Sequence, residues 1–121
     1  MRGIISYAVA FALALSVANF TTAAARSPYD GSWNLTFVTQ RGACDRSYPF
    51  EIQIVNGSLS HPNLVRLRGR VSAAGKVRAS VTVGRKHAAG VGQLRLTSGR
   101  GRWVGYSGEA RCSGYWIARR S

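Results

Sequence analysis

Carboxylates are scarce in this sequence. Asp30, Asp45, Glu51 and Glu109 stand alone against 17 Lys and Arg. Glu51 and Glu109 could therefore act as paired carboxylates for acid–base hydrolysis only by a coincidence of folding. His61 and His87 are the two histidines. Both are expected in loops, with no acid or nucleophile at a meaningful spacing from either. No His/Cys metal spacing, serine elbow or phosphate loop occurs. The expectation is a binding protein without catalytic residues, metal or cofactor.

Long apolar runs are also absent, with one exception at the start. Ile4 to Val17 carries no charge, follows Arg2 as a basic leader, and ends near Thr21-Thr22-Ala23-Ala24-Ala25, with Ala23 and Ala25 in A-x-A positions. That is the layout of a secretory signal peptide over 1–25, and the run is short for a membrane span. A single domain over 26–121 is expected to follow, located in the periplasm or secreted. No cysteine near the cleavage point offers a lipid attachment.

Cysteine is as sparse as carboxylate. Cys44 and Cys112 are the two in the chain, and in an oxidising compartment a disulfide between them is expected. It would close a loop spanning most of the domain, which stabilises a chain of this size by roughly 4 kcal/mol in the chain-entropy picture. A catalytic thiol would need a free cysteine beside a base, which an even count in an exported chain disfavours.

Helical periodicity is missing after Ala25. Period-2 alternation recurs instead, punctuated by glycine, which signals antiparallel β structure. Trp33, Leu35 and Phe37 alternate with Asn34 and Thr36; Phe50, Ile52 and Ile54 with Glu51 and Gln53. Val65, Leu67, Gly69 and Val71 alternate with Arg66, Arg68 and Arg70, and Val77, Ala79, Val81 and Val83 with Arg78, Ser80 and Thr82. Leu94 and Leu96 flank Arg95. Cys112, Gly114, Trp116 and Ala118 close the series. Asn56-Gly57 is the strongest hairpin signal, since a type I′ turn needs positive φ at both central residues. Gly75, Gly84, Ser98-Gly99 and Ser107-Gly108 mark further turns. These short connections predict an all-β, up-and-down meander of six to eight strands, closed into a small barrel to remove its edges, with a sandwich as the alternative.

The charge has a direction. Without Arg2 the domain keeps 16 cations against four acids, mostly arginine, whose planar fork suits phosphate and carboxylate. Arg66, Arg68 and Arg70 fall on one strand face, with Arg78 and Arg95 on the same face of the following strands. Residues i and i+2 lie roughly 6.5–7 Å apart, a spacing that can track a polymer's charges. Tyr106 and Tyr115 could interleave as stacking surfaces. The expected partners are an anionic polysaccharide, lipopolysaccharide or nucleic acid. A net charge this large opposes self-association, so a monomer is expected.

Two resemblances add to this. Tyr29-Asp30-Gly31-Ser32-Trp33, Gly42-Ala43-Cys44, Tyr48, Ile54-Val55-Asn56-Gly57, Gly101-Arg102-Trp103 and Cys112-Ser113-Gly114-Tyr115-Trp116 resemble a family of small exported proteins of rhizobia and related alphaproteobacteria. The resemblance covers essentially the whole domain and carries no activity or catalytic residues with it. Gly31-Ser32-Trp33, together with the Trp116 to Arg119 segment, is similar to the strand signature of calycin-like barrels (lipocalins, avidins, bacterial metalloprotease inhibitors). That similarity implies a first-strand tryptophan packed near a last-strand cation, and a ligand-binding or inhibitor barrel as the second functional reading. Cys44 and Cys112 are farther apart than the cysteines of those inhibitors.

Overall fold

The computed structural model describes residues 27–64 and 66–121. The expected signal peptide and the inward position of Val65 lie outside them. Eight strands follow one another: β1 (Gly31–Arg41), β2 (Ser47–Val55), β3 (Ser58–Ser60), β4 (Leu67–Val71), β5 (Lys76–Val83), β6 (Lys86–Leu94), β7 (Ser98–Ser107) and β8 (Ala110–Arg120). Each pairs antiparallel with the next, and β8 returns to β1 to close a barrel. Closure leaves no strand at a sheet edge, although the β3–β4 seam is a single register pair, Ser58 with Arg70. The expected meander and barrel are both present, at the upper end of the expected strand number.

The alternation read in the sequence is the alternation of the wall. Trp33, Ile52, Ile54, Leu59, Val71, Leu94, Trp103, Trp116 and Ala118 are buried inside. Asn56 has φ 52° and Gly57 φ 80°, the two left-handed residues that a type I′ hairpin requires. The carboxylate of Asp30 caps this turn, accepting the Asn56 and Gly57 amides at 2.8 and 3.0 Å.

β6 is the strand that sequence periodicity did not mark. Its inward positions include Gly90 and Gly92, and their smallness has a cause across the ladder. Trp103 lies between register partners Gly90 and Gly114, and Trp116 pairs with Gly101, which pairs in turn with Gly92. A Cβ at Gly92 or Gly101 would collide with the Trp116 indole. Large and small residues thus alternate around the barrel, which fills a narrow interior without an apolar run on every strand. The three tryptophan N–H groups each donate to a backbone carbonyl: Trp33 to Tyr29 at 2.9 Å, Trp103 to Val38 at 3.1 Å and Trp116 to Val91 at 3.2 Å. Each indole buries its area without an orphaned donor.

The two ends differ. At one, residues 27–30 cross the base of the barrel beside the β2–β3 and β4–β5 turns. Arg120 fastens them, its guanidinium 4.8 Å from the Trp33 ring centroid and its two terminal nitrogens donating to the carbonyls of Asp30 (3.1 Å) and Pro28 (2.7 Å). The cation beside Trp33 is therefore Arg120, one residue beyond the segment expected from sequence; Arg119 is exposed. Inward parity explains the shift, since Trp116, Ala118 and Arg120 share a face. At the other end the Cys44–Cys112 disulfide ties the β1–β2 connection to β8.

Candidate anion-binding wall and barrel mouth

Strand register, which no local sequence window contains, assembles the arginines. Arg70 lies directly opposite Arg78. The same transverse row continues from Arg78 to Val91, then Arg102, then Tyr115. Arg68 sits two residues from Arg70, opposite Ser80. Arg66 precedes β4 but continues its ladder, because its carbonyl accepts the Thr82 amide at 3.3 Å. A parallel row runs Lys76, Gln93, Arg100 and Ile117. All of these cations are exposed. With strands about 4.8 Å apart and i to i+2 steps of about 6.5–7 Å, they form a grid of donors on one wall.

No carboxylate interrupts that grid. Residues 52–108 contain no Asp or Glu, and Glu109 occupies the β7–β8 turn. Asp30 is engaged in capping, Asp45 lies in the β1–β2 connection, and Glu51 faces Asn34 across β1 and β2. Glu51 and Glu109 are thus on separate elements. Like charges directly opposite on a sheet are destabilising, so the juxtaposition of Arg70 and Arg78 opposes the fold. Arg70 adds one polar contact, donating to the Ser58 hydroxyl at 3.3 Å across the β3–β4 seam.

Arg95 is misplaced in the sequence reading. It lies in the β6–β7 connection, with its amide bonded to the Ser98 carbonyl at 2.7 Å, so it is not on the strand face with Arg68, Arg70 and Arg78. Leu96 beside it is 63% exposed, and Ser98-Gly99 begin β7 rather than forming the turn. Lys76, Arg100 and Arg102 belong to the wall and were not singled out from sequence. Of the two tyrosines, Tyr115 adjoins Arg102. Tyr106 stacks on His87 with ring centroids 5.4 Å apart and stands opposite Arg111. His87 is in β6, not a loop, and its Nδ1 lies 2.8 Å from the Thr82 hydroxyl. His61 is in the expected loop, stacked on Phe50 at 5.3 Å. Among the described residues no three His, Cys, Asp or Glu side chains converge as a metal site.

The second concave feature is the barrel mouth. A cavity of about 520 Å³ opens there, lined by Phe37, Phe50 and Trp103 and by Tyr48, Arg85 and Lys86 nearer the rim. Phe37 stacks on Phe50 and on Trp103 at 6.2 and 6.0 Å. The interior below leaves only about 50 Å³, so a bound molecule could occupy the mouth but not the depth of the barrel.

Among the described residues no helix is long and apolar enough to cross a membrane. The wall has the reverse polarity of a membrane-spanning barrel, with arginines outside and aromatic and aliphatic side chains within. No protein-family model, curated protein or solved structure matches the chain.

Proposed function

We propose that the chain is an exported, non-catalytic binding protein whose β4–β7 wall engages anionic envelope or extracellular polymers: lipopolysaccharide, acidic polysaccharide or nucleic acid. The observation that carries this reading is the Arg70–Arg78 pair, facing each other across a ladder and extended by Arg66, Arg68 and Arg102, on a stretch without a single carboxylate. Surface charge for solubility alone is served by scattered cations. Stacking them in register raises their mutual repulsion, which a bridging phosphate or carboxylate relieves through charge-assisted hydrogen bonds. The disulfide and the signal-like leader support export.

A salt series with heparin tests the reading. Each cation neutralised on a polyanion contributes close to one to the slope of log affinity against log salt. Replacing Arg68, Arg70 and Arg78 by Ser should flatten that slope by up to about three. Arg95→Ser, off the wall, should change it by less. Identical slopes for the triple variant and the wild type would rule the wall out as the binding surface.

The mouth supports a second reading, a small-ligand barrel in keeping with the calycin-like signature. Its volume suits a compact apolar molecule, and its aromatic floor gives that molecule a surface. Binding there would respond little to salt and would quench Trp103 fluorescence, whereas polymer binding to the wall would weaken steeply with salt and leave Trp103 emission unchanged.

A further inference from the structure

The arginine wall is not purely hydrophilic. Val91, Val104, Tyr115 and Ile117 project from the same outer surface with 50%, 60%, 39% and 47% of their area exposed. Their arrangement is specific. Arg102 has Val91 and Tyr115 as its direct partners on either side, Val104 two residues along its own strand, and Ile117 diagonally across β8. Isolated exposed aliphatics are ordinary on any protein. Three of them and a tyrosine enclosing one arginine, with Arg78 opposite Val91 and Arg100 opposite Ile117, make a surface that alternates apolar and cationic groups at side-chain spacing.

From this juxtaposition, and resting on the anion-binding reading above, we infer that the outer surface of β6–β8, where the arginine wall continues onto β8, docks onto a lipid surface carrying anionic headgroups, in preference to a soluble hydrophilic polymer. A polysaccharide or nucleic-acid backbone offers the arginines their counter-charges but gives Val91, Val104 and Ile117 nothing to lie against. A bilayer interface offers both. Its headgroup phosphates meet the guanidinium groups, whose aliphatic stems lie along the apolar side chains, and the glycerol and upper acyl region accepts the aliphatic tips. Tyr115 has the amphipathic ring that favours this depth. The negative surface potential of such a membrane acts over about a Debye length and would orient the arginine-rich side towards it. The contact is peripheral: the barrel's interior stays closed, and no strand enters the hydrocarbon.

Cosedimentation with vesicles tests the inference, with heparin as the soluble comparison. The proteins compared are the wild type, an apolar variant (Val91→Ser, Val104→Ser and Ile117→Ser together) and the charge variant (Arg68, Arg70 and Arg78 to Ser). All begin at Arg26, the expected mature N-terminus, so the apolar leader cannot itself anchor them to vesicles, and thermal melts establish that each is folded. The wild type should bind vesicles of mixed phosphatidylglycerol and phosphatidylcholine and leave pure phosphatidylcholine unbound. The apolar variant should lose about tenfold in affinity for the mixed vesicles through the missing apolar burial, while its heparin affinity and salt slope stay at the wild-type values. If the apolar variant binds mixed vesicles like the wild type while the charge variant still loses heparin affinity, the lipid inference is overturned and the polyanion reading stands. Equal losses of the apolar variant on vesicles and heparin, or wild-type binding to pure phosphatidylcholine, also overturn it. A wild type that binds neither heparin nor mixed vesicles removes both.

Discussion

At the base of the barrel Arg120 lies over the Trp33 ring and donates to two backbone carbonyls; on the β4–β7 wall the exposed Arg70 and Arg78 face each other across a ladder, with one contact from Arg70 to the Ser58 hydroxyl. The same residue type does opposite things in these two regions. The basal arginine gains a π face and two carbonyl acceptors, though its Nε is buried without a hydrogen-bond partner. The wall arginines gain each other's repulsion. One cation is thus part of the fold, while the others are carried by it, and mutations in the two regions should move stability in opposite directions.

The largest effect belongs to the base. Trp33 is fully buried, and Trp33→Ala should destabilise by about 3–5 kcal/mol through lost burial and an unfilled cavity. In a domain of this size that lowers Tm by tens of degrees at about 4–8 °C per kcal/mol, measurable by circular dichroism. Arg120→Gln removes the ring contact and at least one carbonyl partner and should lower stability by about 2–3 kcal/mol, with heparin affinity reduced far less than stability. A Tm unchanged in Arg120→Gln would mean that residues 27–30 are held by other contacts. On the wall the sign reverses. Arg78→Thr places a good strand former opposite Arg70 and should raise stability by a few tenths of a kcal/mol, seen as a small increase in Tm. A clear loss of stability in that variant would make Arg78 a structural residue and dissolve the contrast.

How much of this could be read from the sequence depends on whether a feature is set by local period or by distant pairing. Strands β1, β2, β4 and β5 announce themselves because their apolar residues alternate, and Arg68, Arg70 and Arg78 share a face because side-chain period 2 leaves no other choice. The Asn56-Gly57 turn is legible because its backbone angles select those residues. β6 is illegible for a physical reason: Gly90 and Gly92 replace the expected apolar residues because Trp103 and Trp116, from β7 and β8, occupy the space above them. Placing His87 in a loop and Arg95 on a strand follows from that one missed strand. The contribution of Arg100, Arg102 and Tyr115 to the wall depends on the registers of β6, β7 and β8, which only the closed barrel fixes. Arg120, by contrast, was within reach, since continuing the parity of Trp116 and Ala118 places it inside.

The claim that the wall arginines serve binding at the expense of the fold is tested most directly by thermal melts of the wild type and the Arg68, Arg70, Arg78 to Ser variant, each with and without saturating heparin at low salt. A ligand that binds the native state raises its stability by an amount set by concentration over Kd. Without heparin the variant should melt at the wild-type temperature or slightly above it; with heparin the wild type should melt higher, so that the order of the two proteins reverses. The same order under both conditions, or an equal upward shift for both, would contradict the account.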